Sequence, residues 1–114
     1  MQHSYQSGWY LPGGTVERGE SLYHAAIREL LEECAIRAKS VRLLGMFFSE
    51  IEGRSDHIAL FTVESFDEVA NHPRDPEIAD LRFFPLDRLP EGTSPATRRR
   101  LSELKTGAAP PDRW

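Results

Sequence analysis

Residues 14–36 read GTVERGESLYHAAIRELLEECAI, a glycine turn that feeds a helix whose end carries three glutamates, Glu29, Glu32 and Glu33. At 100° per residue, Glu32 falls about 300° and Glu33 about 40° from Glu29, so the three carboxylates share one face. Leu22, Ala25 and Ala26 lie on that face one or two turns earlier. Tyr23, Ile27, Leu30, Leu31 and Cys34 form an apolar stripe on the opposite side, which the pattern turns toward the core. Ser21 is a good N-cap, so the helix is expected over 22–34. The small Ala25 and Ala26 admit close approach of another backbone. The helix is therefore expected to have contacts on both sides, with its acidic end opening into a cleft.

Such a cluster works against helix stability. The like-charge pairs Glu29–Glu32 and Glu29–Glu33 together cost on the order of 1 kcal/mol, and they sit at the negative end of the helix dipole. A divalent cation would reverse that balance, and ligands made only of oxygen favour hard ions such as Mg²⁺ or Mn²⁺ over zinc. The plain alternative is an acidic solvent-facing helix in which Arg28–Glu32 is a routine i,i+4 pair. On the helix alone the two readings have similar weight.

The full spacing separates them. Gly14, Glu20, Arg28, Glu29, Leu30, Glu32, Glu33 and Ile36 occupy their positions in the pattern G-x5-E-x7-R-E-U-x-E-E-x-G-U, with U an apolar residue. Six specified residues at roughly one in twenty each match a given start about once in 10⁸. This segment resembles the Nudix box, and the flanks Trp9-Tyr10-Leu11-Pro12-Gly13-Gly14, Leu81-Arg82-Phe83-Phe84 and Leu86-Asp87-Arg88-Leu89-Pro90 are also similar to that family. One position departs from the pattern: Ala35 stands where the motif has its second glycine. Alanine in a left-handed helix cap costs roughly 1–2 kcal/mol. Either the loop takes another path there or the fold absorbs the strain, and the chemistry is expected to survive.

The resemblance implies a Nudix-type α/β/α sandwich, α+β in class with a mixed sheet, over residues 1–105, followed by a flexible tail over 106–114. It also implies a metal-dependent pyrophosphohydrolase of the MutT-like kind. In it Glu29, Glu32 and Glu33, with the Gly14 carbonyl, bind one or more Mg²⁺ or Mn²⁺ ions against a diphosphate. Glu29 is the first choice for the general base, and later-loop acids (Glu50, Glu52, Asp56, Glu77 and Asp80) are the alternative. Arg28 is assigned to the catalytic set as the residue that orients a neighbouring glutamate, with Glu20 as its structural partner. Gly14 is expected to serve the tight turn. A second reading is a Nudix-like module that binds a nucleotide or protein without turnover. The intact acid trio argues against it.

Substrate marks are weaker. Phe48–Glu52 holds no proline of the ADP-ribose type, no S-Q-P-W-P-F-P run of the NADH type occurs, and no tyrosine follows Tyr23. A nucleoside triphosphate or nucleotide-sugar is mildly favoured. Trp9, Tyr10, Phe47, Phe48 and Phe83 are candidates to stack on a base, although each is a more ordinary packing residue.

Composition sets the outer bounds. The 114 residues carry a net charge of −4, with 39% hydrophobic and 28% charged residues, which fits one globular domain. That charge argues against a nucleic-acid polymer as partner. The run Arg98-Arg99-Arg100 reads as a solvated helix surface. Cys34 is the only cysteine. It reads as a core residue in a chain suited to a reducing cytoplasm, and no membrane-spanning segment is present.

Strands are expected at Thr15–Glu17, Val41–Ser49, His57–Ser65 and Leu81–Pro85, with a strand end near Tyr5 and a terminal helix from Pro95 to about Leu104. The resemblance implies a hydrophobic strand upstream of Gln2-His3-Ser4-Tyr5, where almost nothing precedes. The sheet is therefore expected to keep an unpaired edge that invites a homodimer.

Overall fold

The computed structural model describes residues 1–3, 8–51, 53–73 and 75–114. The strand end expected near Tyr5 lies outside them. The order is β1 (Gln2–His3), α1 (Leu22–Cys34), β2 (Ile36–Ile51), β3 (Arg54–Glu68), β4 (Ile78–Asp80) and α2 (Pro95–Thr106), an α+β arrangement.

The β2–β3 hairpin is longer than its apolar runs suggest. It pairs antiparallel from Ile36↔Glu68 at the base to Ile51↔Arg54 at the tip. The stretch left between the expected strands Val41–Ser49 and His57–Ser65 narrows to a tight turn at Gly53, whose φ of 76° suits glycine. Opposite-charge pairs extend the ladder past the hydrophobic centre, Lys39 with Asp67 at 3.1 Å and Arg42 with Glu64 at 3.5 Å. β1 and β4 form a separate short antiparallel pair, Gln2↔Asp80 and His3↔Ile78. The described strands thus make two antiparallel pairs rather than one mixed sheet, and parallel contacts are confined to the bridges Trp9↔Thr93 and Phe48↔Arg113. Residues 15–17, expected as a strand, belong to none. The last short strand is Ile78–Asp80 rather than Leu81–Pro85.

Helix α1 packs on β2, with Cys34 and Ile36 buried where it turns into the strand. Tyr23 sets its ring edge-on to Phe61 of β3 at 4.9 Å. Ser94 caps α2 by accepting the Thr97 N–H at 3.2 Å, and Pro95 occupies its first turn.

The segment expected as a tail returns to β2. The Phe48 N–H donates to the Asp112 carbonyl at 2.7 Å, and the Trp114 N–H donates to the Phe48 carbonyl at 3.0 Å. Arg100 is 2% exposed and fastens this return. Its guanidinium donates to the carbonyls of Arg113 and Trp114, each at 2.9 Å, and to Glu103 at 2.8 Å. It also lies over the rings of Phe47 and Trp114. The basic run is therefore not a uniform solvated face. Arg98 and Arg99 are exposed and bond the carbonyls of Pro90 and Trp114, while Arg100 is enclosed.

Candidate active site

Ser21 starts α1 by accepting the His24 N–H at 3.1 Å. The helix runs without interruption to Cys34, which carries Arg28, Glu29, Glu32 and Glu33 past the Gly13–Gly14 loop. The helix end answers the question raised by Ala35. Its φ of 56° and ψ of 35° are left-handed, and its N–H donates to the Leu31 carbonyl at 3.0 Å. The fold keeps the glycine geometry and absorbs the strain of a Cβ.

Arg28 organises the acids. It grips Glu20 with two bonds, Nε to Oε2 at 2.7 Å and Nη2 to Oε1 at 2.9 Å. Its Nη1 also reaches Glu29 at 3.0 Å and Glu32 at 3.3 Å, and Nη2 donates to the Thr15 carbonyl at 3.1 Å. One guanidinium thus ties the loop before the helix to two of the three carboxylates. Its hydrogen bonds hold the Glu20 carboxyl down at about 2. The paired carboxylates in turn raise the already high pKa of Arg28.

Glu29 lies against Gly14. A Cβ on Gly14 would stand 2.5 Å from Glu29 Oε1 and 2.6 Å from its carboxyl carbon, so any larger residue there would push the Glu29 carboxylate off its place. The turn expected of Gly14 does not need a glycine, since its φ is not in the left-handed region. Glu33 is buried and accepts the Gly13 N–H at 2.8 Å. Burial pushes its carboxyl up to about 7, against the pull of the Gly13 bond, and the charges of Glu29, Asp75 and Glu32 push the same way. Glu32 is the exposed member.

The three glutamates share a face but do not converge on one point. Among the described residues no group of three His, Cys, Asp or Glu side chains stands close enough to hold a metal ion. Glu29 and Glu32 turn toward Arg28, and Glu33 turns toward the Gly13 amide. The donor set still suits a hard divalent cation, because it is made of oxygens only and Glu33 is under electrostatic stress that a cation would relieve.

Of the later-loop acids, Asp56 lines the same cleft as Gly14 and Glu29. Asp80 bonds the Leu81 N–H and Arg82, Glu50 lies by the hairpin tip, and Glu77 donates its N–H to Asp75. Glu52 lies outside the described residues. Asp75 escaped the sequence reading although its charge acts on Glu33. Its flank by Pro73 and Pro76 marks an irregular segment but not where that segment lands. The candidate aromatics also divide. Phe47 is core, Trp9 packs on Phe84, Phe48 lies under Arg113 and Tyr10 beside His3. Phe83 is 70% exposed and stacks nearly parallel on Phe66 at 5.9 Å.

A family model described as NUDIX domain matches residues 1–104. The chain belongs to the Nudix family. Its relatives include a Bacillus subtilis protein named as an 8-oxo-dGTP diphosphatase, 31% identical over 88% of this chain and 65% of that protein. The mutator protein MutT4 of Mycobacterium tuberculosis is 32% identical over 84% of this chain and 40% of its own length. Human diphosphoinositol polyphosphate phosphohydrolase 2 is 28% identical over 93% of this chain and 60% of its own. The chain thus spans under two thirds of each of these relatives. No helix among its described residues is long and apolar enough to cross a membrane.

Proposed function

We propose that this Nudix domain is a divalent-cation-dependent pyrophosphohydrolase that cleaves a phosphoanhydride in a nucleoside triphosphate or nucleotide-sugar. The observation that carries the reading is the joint between the Gly13–Gly14 loop and α1, where Glu29 sits against Gly14 and Glu33 bonds the Gly13 amide at the edge of an open cleft. Glu29, Glu32, Glu33 and the Gly14 carbonyl are the residues that would hold Mg²⁺ or Mn²⁺. When bound, the cation neutralises the diphosphate and lowers the pKa of a water.

Glu29 is the proposed base. It takes a proton from the attacking water as the water oxygen bonds to one phosphorus; the bridging P–O bond breaks and the other phosphate leaves. Asp56, in the same cleft, is the alternative base. Arg28 positions Glu29 and Glu32 and does not touch the substrate. One observation supports a nucleotide over a densely phosphorylated ring: Arg28, Lys39 and Arg82 are already paired with carboxylates.

The test is turnover of a nucleotide and nucleotide-sugar panel with Mg²⁺ or Mn²⁺, repeated with Glu29→Gln. The expected loss in kcat is about 10²–10⁴-fold. Undiminished turnover by the variant would overturn the role of Glu29. Tight nucleotide binding without turnover by the native protein would instead establish a binding module.

A further inference from the structure

The loop that carries Gly13 and Gly14 is fixed at its far end to the segment that leads into α2. The Trp9 N–H donates to the Gly92 carbonyl at 3.0 Å, and the Ser94 N–H donates to the Trp9 carbonyl at 3.0 Å. These two bonds make the parallel bridge Trp9↔Thr93. The Trp9 ring stands edge-on to Phe84 at 5.0 Å. Gly8 completes the joint. A Cβ there would lie 2.9 Å from the Gly92 carbonyl oxygen, and its φ of 100° lies where L side chains are strained. The close neighbour is backbone, which cannot swing aside as the end of a side chain does.

The other half of the joint is itself held. The Pro90 carbonyl accepts from the Thr93 N–H at 3.3 Å, from the Thr93 hydroxyl at 2.7 Å and from Arg98 at 2.9 Å. Thr93 is buried, and Ser94 caps α2. Moving this segment therefore means moving the start of α2 with it.

Only residues 10–12 lie between the joint and the acids, and they have little slack. The Tyr10 N–H donates to the Met1 carbonyl at 2.8 Å. Pro12 has a fixed φ and restricts Leu11 to extended backbone. Gly13 then donates its N–H to Glu33, and Gly14 lies against the Glu29 carboxylate. A chain pinned at Trp9, stiff at 11–12 and pinned again at Gly13 passes a displacement on rather than absorbing it.

We propose that Gly8, Trp9 and the 92–94 segment are positioning residues. Packed on one another, they set where Gly13 and Gly14 stand against Glu33 and Glu29. Their effect on turnover rests on the pyrophosphohydrolase reading; their effect on the loop does not.

The test pairs amide NMR with kinetics on three variants. Gly8→Ala forces the two segments apart by a few tenths of an ångström. It should shift the Gly13 and Gly14 amide resonances and lower kcat about tenfold, with KM within about twofold of native. Gly53→Ala, also at positive φ (76°) but with open space around the new Cβ, carries the backbone strain alone. It should lower the melting temperature and leave both resonances and kcat in place. Phe84→Leu loosens Trp9 without backbone strain, so it decides the matter if Gly8→Ala does not fold. It should shift the same two resonances and lower kcat about threefold. Unmoved resonances or a native kcat in Gly8→Ala and Phe84→Leu overturn the proposal. A kcat loss in Gly53→Ala equal to that in Gly8→Ala overturns it equally. Shifted resonances in a protein whose native form turns over no nucleotide uphold the joint and overturn only the functional reading.

Discussion

Glu33→Gln should make the protein more stable while removing its activity. Glu33 is buried, and its carboxyl is pushed from the ordinary 4.5 to about 7. The sign follows from linkage. A folded-state pKa above the unfolded value means that the folded protein favours the protonated form. The stability this group contributes is complete below about pH 4.5 and is lost as pH rises through about 7. Converting that displacement at 1.36 kcal/mol per pH unit gives about 3 kcal/mol of instability at pH 8, fading to a few tenths at pH 4. Glutamine keeps the shape and can still accept the Gly13 N–H, now 2.8 Å from Oε1, but it carries no charge to desolvate. Urea melts of native and variant protein at pH 4 and pH 8, with divalent ions chelated, measure the difference directly. The variant should be about 3 kcal/mol more stable at pH 8 and nearly equal at pH 4. A difference that does not change with pH would refute the assignment of strain to Glu33. Equal nucleotide turnover by the variant would refute its place among the cation ligands.

Other substitutions probe separate parts of the joint. Gly14→Ala drives a Cβ to 2.5 Å from Glu29 Oε1; the carboxylate must move, so kcat should fall about 10²-fold while the melting temperature changes little, read by turnover and thermal melts. Ala35→Gly relieves the left-handed cap at φ 56° and should stabilise the protein by about 1 kcal/mol with activity unchanged. Arg28→Lys loses the two-pronged grip on Glu20 and should reduce kcat about 10–100-fold. It should also let Glu20 titrate closer to an ordinary carboxylate, which NMR titration of its side chain can follow.

Much of the site was legible because the decisive residues lie on one helix. The helical period alone places Glu29, Glu32 and Glu33 on a face, and Ser21 and Cys34 bound the helix where the pattern ends. Distances across loops were not legible. The resemblance named Glu20 as partner of Arg28 and the helical period named Glu32, but nothing in the sequence says that the same guanidinium holds both together with Glu29, or that the Glu29 carboxylate comes to lie against Gly14, fifteen residues back. Asp75 was missed for the same reason: its loop has no period from which to place it. The hairpin was underestimated because its ends are held by charge pairs such as Lys39–Asp67, which look like loop chemistry when only hydrophobic alternation is followed.

Arg100 is the sharpest case of a misleading neighbourhood. Three successive arginines on a helix point about 100° apart, so they cannot share one fate, and a net-charge argument treats them as one. The helix puts Arg98 and Arg99 in solvent and sends Arg100 inward between Phe47 and Trp114. There it meets the carbonyls of the last two residues and Glu103. A buried cation is tolerable only with such partners. The returning C-terminal residues and the enclosed arginine therefore support each other: without the carbonyls of Arg113 and Trp114 the charge loses most of its partners, and without the guanidinium the Arg113 carbonyl loses this donor and the Trp114 carbonyl is left with Arg99.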